Sequence, residues 1–396
     1  MATKPNVAFI GLGAMGMGMA LHLLEDGFRV SGFDVSPKAL EMLASKGGFA
    51  ASSPQESARD ASYIICMVAN AEQIKNVLFA ESRGAVFGLP HDAIVIICST
   101  VAPAFPQEVL RLFKEDFQRP DIRVVDCPVS GGTVRAAQGT LTILSSGSSA
   151  TLKDTKPILE SMSECLYEIK GGLGAANKVK LINQQLAGIH IAISAEAMGL
   201  AATLGLNTKH LYESVLGTSA HSWMFENRVP HMLADDWTPY SALGIFVKDM
   251  GIVTSEGLNR KFPLFLASTA EQLYLLGAQM EYEREDDSGV VRVFLPKSPS
   301  LVSDSKSTQM DVSQFAGAYK LIHQLLEIVH TAAAIEAVAL GINLGLQASE
   351  LISIISNAAG VSESFKVVAP KAVLGDFTSG CTIAQTRDTL VSLLYM

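Results

Sequence analysis

A glycine-rich turn between a strand pattern and a helix pattern is the feature that most narrows the fold of this chain. The apolar run Val7–Ile10 is followed by Gly11-Leu12-Gly13-Ala14-Met15-Gly16, and a helical pattern continues to about Gly27. In such a unit the first glycine permits a tight turn, the second lets a pyrophosphate approach the backbone, and the third lets helix and strand pack closely. The helix N-terminus adds free N–H groups that bind phosphate. The sequence therefore predicts a dinucleotide-binding unit.

An acidic residue follows at the expected distance. Asp34 lies directly after the second strand pattern, Arg29–Phe33. A carboxylate at this position accepts hydrogen bonds from ribose hydroxyls and repels a 2′-phosphate, so NAD is favoured over NADP. A turn acid before Ser36-Pro37, which has the form of a helix cap and first turn, is the alternative reading of Asp34.

The order of strand and helix patterns gives the domain organisation. Up to about Glu168 short apolar runs alternate with amphipathic stretches, which predicts a doubly wound α/β domain of the Rossmann type with a parallel sheet. The predicted strands are Val7–Ile10, Arg29–Phe33, Tyr63–Val68, Ala93–Cys98, Arg123–Asp126 and Thr140–Leu144, and the predicted helices include Ala71–Ala80 and Gln107–Phe117. From Gly174 onward only helical patterns follow. We predict a dinucleotide-binding domain (1–170), a helical substrate domain (171–297), a Ser/Pro-rich linker (298–311) and a further helical segment (312–396).

The last segment repeats the helical domain. An offset of 140 residues aligns Lys180–Tyr240 with Lys320–Gly380 without a gap, and 19 of these 61 positions are identical. Unrelated sequences agree at roughly one position in fifteen. The sequence therefore predicts that the helical domain is duplicated, although two unrelated helices in similar environments are the alternative.

Composition excludes several classes of function. Lys+Arg 30 against Asp+Glu 39 gives a net charge of −9, so no nucleic-acid footprint is present. The five cysteines, Cys381 among them, are widely spaced and form no C-x-x-C pair, which indicates a reducing compartment and no metal site. The N-terminus has no signal or transit pattern, so a cytoplasmic location is expected. Leu186–Leu206 is long enough to cross a bilayer, but His190 and Glu196 favour a buried helix of a soluble protein.

Further candidate residues follow the predicted strands and open the helical domain. Ser130-Gly131-Gly132 is suited to a nest of backbone donors for a carboxylate, although an ordinary turn has the same composition. Lys180, Asn183 and Gln184 share one helix face at i, i+3 and i+4. A lysine in an apolar stretch requires a partner or a function, or else its amine reaches solvent along the helix surface. Phe246-Val247-Lys248-Asp249, taken alone, has the form of a core anchor with a surface ion pair.

Four of these motifs together resemble one family, the β-hydroxyacid dehydrogenases related to 3-hydroxyisobutyrate dehydrogenase and 6-phosphogluconate dehydrogenase. The resemblance covers about residues 5–297. The four motifs occur in the family's order: Phe9–Ala20, Asp126–Gly132, Lys180–Gln184 and Phe246–Gly251. Within the family, the flanking residues are most similar to the branch that oxidises L-threonate. The resemblance implies NAD-dependent oxidation of a small hydroxy acid, a four-carbon sugar acid of the L-threonate type.

The resemblance also implies roles for individual residues. Catalysis falls to Lys180 and Asn183, with Lys180 as the acid–base group and Asn183 holding the hydroxyl oxygen. Burial beside a positively charged ring lowers the pKa of a lysine amine and suits it to this role. Substrate binding is assigned to Ser130, Gly131, Gly132 and Gln184. Cofactor binding is assigned to Gly11, Leu12, Gly13, Met15, Gly16, Asp34, Asn70, Thr100 and Lys248.

The chain departs from the family pattern in its second helical segment. That segment keeps Lys320 and Gln324, but Asp311 and Gln314 replace the glycines at 171 and 174, and Asp388 stands opposite Lys248. We therefore interpret Lys320 as a relic. We expect the two helical copies to pack as a pseudo-dimer within the chain, with a homodimer as a further possibility.

Other functions are compatible with the same motifs. One alternative is a reductase of a semialdehyde of the 3-hydroxyisobutyrate or tartronate type. Imine reduction is disfavoured by Lys180, and phosphogluconate decarboxylation by the lack of a basic cluster at the motifs. A non-catalytic NAD-binding interaction protein is the alternative from another class.

Overall fold

The computed structural model describes residues 4–308, 312–377 and 383–394. They belong to two compact units, which meet in sequence at Lys180 and Leu181. Cys381, Asp311 and the end of the predicted linker lie outside the described residues.

The first unit alternates strands and helices. Its elements are β1 (Asn6–Ile10), α1 (Gly16–Glu25), β2 (Arg29–Phe33), α2 (Pro37–Ser45), β3 (Phe49–Ala50), α3 (Pro54–Ala58), β4 (Tyr63–Cys66), α4 (Ala71–Phe79), β5 (Ile94–Ile97), α5 (Phe105–Glu115), β6 (Arg123–Asp126), β7 (Val129–Ser130), α6 (Gly132–Gln138), β8 (Leu141–Ser145), α7 (Ser149–Ser161) and β9 (Ser163–Glu168). The long helix α8 (Ala175–Thr203) begins in this unit and continues into the second.

Six of the strands form a parallel sheet in the order β3-β2-β1-β4-β5-β6. Apolar clusters cover both of its faces, which explains why central strands such as Ile94–Ile97 are uniformly apolar rather than alternating. The strand order reverses between β1 and β4, whose register pairs Ile10 with Cys66. Ligands of doubly wound sheets bind beyond the carboxyl ends of the strands at such a reversal. The predicted Rossmann-type fold is confirmed.

The predicted sixth strand belongs to a different sheet. The segment predicted as Thr140–Leu144 is β8, which lies in a three-stranded sheet of order β7-β8-β9 and pairs antiparallel with β7. The two residues of β7 are too few to show a strand pattern, and they lead at once into α6. Strand β9 alternates half-buried and exposed residues rather than forming an apolar run, so its pattern is weak.

The second unit is helical throughout its described residues. After α8 come α9 (Thr208–Val215), α10 (Trp223–Ala234), α11 (Leu243–Asn259), α12 (Phe265–Gln279), α13 (Leu301–Asp304), α14 (Ala316–Asn343), α15 (Ala348–Ile355), α16 (Glu363–Val373) and α17 (Ile383–Leu394). The helices α9, α10 and α11 begin 140 residues before α15, α16 and α17, which supports the predicted duplication. Within the predicted linker, α13 and a following 3₁₀ turn pack on α9, where the Thr208 hydroxyl donates to Val302 O at 2.7 Å.

Helices α8 and α14 are both long and apolar enough to cross a membrane by length and composition. In α8, 83% of the apolar window is buried inside the protein, and in α14 the share is 44%. The burial of α8 is that of a core helix, because nearly every side of it is covered by other parts of the chain.

A histidine pair joins α8 to α14. His190 and His330 are fully buried, and their ring centroids lie 4.5 Å apart at an angle of 66°. These two residues correspond at the 140-residue offset, so the pair relates equivalent positions of the two segments. Burial lowers the pKa of His190 to about 3 and that of His330 well below its usual value.

Both rings are therefore neutral in the folded chain, whereas the unfolded chain binds protons at each below a pH of about 6.5. Their contribution to stability is complete above that pH and is lost as the pH falls. Between pH 7.5 and 5 each ring lowers the free energy of unfolding by about 2 kcal/mol. We expect His330→Phe to remove about half of this loss in urea unfolding at the two pH values. An equal pH dependence in both proteins would contradict the buried neutral pair.

Candidate active site

The glycine turn of the first unit is shaped by close backbone contacts. A Cβ at Gly11, whose φ is +95°, would lie 2.3 Å from the Met67 carbonyl oxygen, and one at Gly16 would lie 1.9 Å from that of Gly11. At Gly13, by contrast, a Cβ would meet nothing within 4 Å. Packing against neighbouring backbone therefore explains two of the glycines. The open space at Gly13 is what the predicted approach of a pyrophosphate requires.

The carboxylate of Asp34 is held beside this turn. Leu12 N–H donates to Asp34 Oδ2 at 2.7 Å, and Ser36 N–H donates to Oδ1 at 2.8 Å. Both oxygens keep further lone pairs for ribose hydroxyls. The turn-acid reading of Asp34 is met, because its carboxylate ties the residue before α2 to the glycine turn, and the ribose role stays a prediction. With α1 starting at Gly16, these residues fit a dinucleotide.

The loops after β4 and β5 carry two predicted cofactor residues. Asn70 Oδ1 accepts from Gln73 N–H at 2.9 Å, so its side chain caps α4. Thr100 follows β5, and the preceding Ser99 hydroxyl links the two loops through Val68 N at 3.0 Å and Val68 O at 2.8 Å. Both residues therefore stand at the carboxyl edge of the sheet, where the glycine turn and Asp34 also lie.

The predicted substrate loop opens α6. Ser130 ends β7, and Gly131 and Gly132 have φ values of +137° and +72°, a region that favours glycine. A Cβ at Gly132 would meet nothing within 4 Å. The loop therefore leaves its backbone accessible, as the predicted carboxylate cradle requires.

A buried cluster that was not among the predicted site residues fixes the start of α8. Asp126 Oδ2 accepts from Asn177 N–H at 2.9 Å and from the Ser146 hydroxyl at 3.2 Å, while Asn177 Nδ2 donates to Asp126 Oδ1. Asn177 Oδ1 accepts from Val101 N–H at 3.1 Å. Burial raises the pKa of Asp126 to about 7. Asn177 precedes Lys180 by three residues and lies on the same helix face. This spacing is the sequence feature by which Asn177 could have been identified.

Lys180 lies one turn after this anchor. Its side chain is buried, with 7% of the residue exposed. So little exposure makes Lys180 a residue of the protein interior, where an amine requires a partner or a function.

In the second unit, three side chains form a directed chain of hydrogen bonds. Asn183 Nδ2 donates to Gln184 Oε1 at 3.0 Å, and Gln184 Nε2 donates to Asp249 Oδ2 at 2.6 Å. Lys248 Nζ lies 2.9 Å from Asp249 Oδ1. Asp249 is buried on α11 and was not among the predicted site residues. Gln184 was predicted to bind substrate, and both its amide oxygen and its amide nitrogen form hydrogen bonds within the protein.

Two protein families match the two parts of the chain. Residues 6–171 match the family of the NAD-binding domain of 6-phosphogluconate dehydrogenase. Residues 174–294 and 316–389 match the family described as NAD-binding of NADP-dependent 3-hydroxyisobutyrate dehydrogenase.

Individual relatives cover most of the chain. It is 39% identical over 289 residues to an L-threonate dehydrogenase of Cupriavidus necator, which covers 73% of this chain and 96% of the relative. It is 33% identical over 286 residues to a 3-sulfolactaldehyde reductase of Escherichia coli K12, with 72% and 94% covered. A crystal structure of 3-hydroxyisobutyrate dehydrogenase from Salmonella typhimurium has a TM-score of 0.67 at 39% identity and covers 73% of this chain and 100% of that one.

The sheet, the glycine turn with Asp34 and these matches define an NAD-dependent oxidoreductase. The chain belongs to the β-hydroxyacid dehydrogenase family, in its 3-hydroxyisobutyrate dehydrogenase-like group. The resemblance found from the sequence is thereby confirmed, and the non-catalytic alternative loses its support.

Proposed function

We propose that this dehydrogenase oxidises the 2-hydroxyl of L-threonate or a closely similar four-carbon sugar acid. The observation that carries the proposal is the buried Lys180, held one helical turn after the Asp126–Asn177 anchor. The 39% identity to L-threonate dehydrogenases supports the choice of acid. We further propose that the domain limits are those predicted, with 1–170 binding the cofactor and 171–297 carrying the catalytic helix.

The proposed roles follow from the chemistry of each group. NAD held by the glycine turn and Asp34 would supply the acceptor for the hydride of the carbinol carbon. Lys180 takes the hydroxyl proton during oxidation and returns it during reduction. Asn183 donates from Nδ2 to the hydroxyl oxygen, and the Ser130-Gly131-Gly132 loop binds the carboxylate.

The contacts of the second unit refine two predicted roles. Gln184 orients Asn183, because its Oε1 accepts from Asn183 while Asp249 holds its other end. Lys248 is paired with Asp249 and is proposed to contact the cofactor from that position. The remaining cofactor contacts are proposed for Gly11, Leu12, Gly13, Met15 and Gly16 with Asp34, Asn70 and Thr100.

The two helical segments are proposed to pack as a pseudo-dimer. Their backbones meet in an antiparallel bridge between Ser222 and Ser362, which correspond at the 140-residue offset. Trp223 N–H donates to Val361 O at 3.1 Å, and Glu363 N–H donates to His221 O at 3.0 Å. A contact between equivalent residues lies on a local two-fold axis. We also propose a cytoplasmic location, in keeping with a nicotinamide-dependent reaction and free cysteines.

The test is a panel of threonate, erythronate, 3-hydroxyisobutyrate, glycerate and 3-hydroxybutyrate with NAD or NADP, followed by NADH or NADPH absorbance. We expect the highest kcat/KM with threonate and NAD, and a preference for NAD over NADP of about tenfold or more, because Asp34 repels a 2′-phosphate. The match to a 3-sulfolactaldehyde reductase makes aldehyde reduction the second candidate. Faster reduction of a three-carbon semialdehyde by NADH than oxidation of any acid would select that candidate.

A further inference from the structure

The second helical segment reaches the proposed site through one backbone amide. Gly360 N–H donates to Asn183 Oδ1 at 2.9 Å, across 177 residues of sequence. We propose that Gly360 is a positioning residue of the dehydrogenase, and that its amide sets the orientation of the Asn183 side chain for the hydroxy acid. The proposal rests on the proposed function, because it concerns the same asparagine.

The Gly360 amide fixes the oxygen end of the Asn183 side chain. A backbone N–H only donates, so the Asn183 atom beside it is the oxygen. The nitrogen then points to Gln184, whose own nitrogen donates to the buried carboxylate of Asp249. Every link runs in the same direction, from Gly360 to Asp249, and each polarises the next. The Asp249 carboxylate, which only accepts, imposes the same orientation from the far end, so the two ends of the chain of hydrogen bonds act together on Asn183.

The close approach requires a glycine at position 360. A Cβ there would lie 2.7 Å from the Asn183 carbonyl oxygen, 3.0 Å from its Oδ1 and 3.1 Å from Leu186 Cβ. The backbone around Gly360 is also anchored independently of Asn183. Val361 N–H donates to Ala358 O at 3.1 Å, and the Ser222–Ser362 bridge follows directly. The donor is therefore held in place before any substrate binds.

The reciprocal contact does not exist. At the 140-residue offset, Ala220 corresponds to Gly360 and His323 corresponds to Asn183. Ala220 N–H instead lies 3.3 Å from the Thr218 hydroxyl oxygen, and His323 Nε2 lies 2.9 Å from the Ser214 hydroxyl. The glycine occurs only on the side where the segment faces the proposed catalytic helix. General packing of two equivalent segments gives no reason for this asymmetry, whereas a positioning role does.

The first test compares Gly360→Ala with the matched control Gly317→Ala in the full chain. A Cβ at Gly317 meets nothing within 4 Å, so the control adds the same group to the same segment without a contact. We expect Gly360→Ala to lower kcat/KM for threonate by about 10- to 100-fold, mainly through KM, with KM for NAD unchanged. A purely structural defect reduces the active fraction and leaves both KM values as they are. That result would overturn the proposal.

A double-mutant cycle tests whether the effect passes through Asn183. If it does, adding Gly360→Ala to Asn183→Ala lowers kcat/KM further by no more than about twofold. If the two losses in kcat/KM multiply in the double variant, Gly360 does not act through Asn183.

If Gly360→Ala proves insoluble, hydrogen exchange of the wild-type chain tests the proposal instead. With NADH bound, adding threonate should slow exchange at residues 357–362 about tenfold, and unchanged exchange would overturn the proposal. A wild type that oxidises no acid refutes the proposed function instead, so the two failures are distinguishable.

Discussion

Replacing Lys180 with alanine is expected to lower kcat by a factor of about 10² to 10⁴ while the fold is retained. The amine is the group proposed to move the hydroxyl proton, and its side chain is buried on a helix whose start is fixed by Asn177. Because a proton transferred by a positioned side chain must otherwise go to water, the loss falls on turnover rather than on cofactor affinity. Initial rates of NADH formation under saturating threonate and NAD measure it directly.

The second helical segment provides the control for this experiment. Lys320 corresponds to Lys180 at the 140-residue offset but is exposed to solvent. Lys320→Ala removes the same side chain from an equivalent helix and should leave kcat within about twofold of wild type. Circular dichroism confirms that both variants are folded. A Lys180→Ala protein that turns over within about threefold of wild type would refute the assignment of the proton to this lysine.

The parts of the site with local signals were predictable from the sequence. The glycine turn, Asp34 and the Ser130-Gly131-Gly132 loop each depend on a few consecutive residues whose backbone geometry follows from composition. The core strands were equally clear, because a strand covered on both faces must be apolar along its length. Helical spacing alone was enough to place Lys180, Asn183 and Gln184 on one face.

The contacts that hold these groups in place had no such signal, although the spacing of Asn177 from Lys180 marked one of the residues involved. Asp126 and Asn177 are 51 residues apart, and Asn183 and Gly360 are 177 apart. A hydrogen bond across such distances depends on tertiary packing, which leaves no periodicity in the sequence. Strand β7 could not be predicted either, because two residues are too few to show an alternation of apolar and polar side chains. The sequence therefore predicts which side chains react, and the structure shows which others contact them.

Deleting residues 298–396 is expected to prevent the rest of the chain from remaining a soluble monomer. One face of α8 is covered by the second helical segment, where Leu186 meets Gly360, Ile182 meets Gly341 and His190 meets His330. Exposing one such apolar side chain costs about 1.5–3 kcal/mol. The segment also provides Glu336, which accepts from Gln185 Nε2 at 3.1 Å and from the first N–H groups of α12, those of Leu266 at 3.0 Å and Ala267 at 3.1 Å. Size-exclusion chromatography with light scattering should show dimers or aggregates.

A proteolytic cut distinguishes the effect of removing the second helical segment from the effect of breaking the covalent linker to it. A protease site inserted among the exposed residues 297–299 should give two fragments that co-elute and retain activity, since the contacts between the segments do not depend on an intact linker.

The truncated chain cannot recover full activity by dimerising in the same geometry. Its partner would present Ala220 where Gly360 lies, and a Cβ there would lie 2.7 Å from the Asn183 carbonyl oxygen. We therefore expect kcat/KM of any soluble dimer to remain about 10- to 100-fold below that of the full chain. A truncated monomer with full activity would show instead that the second segment contributes neither to the fold nor to the site.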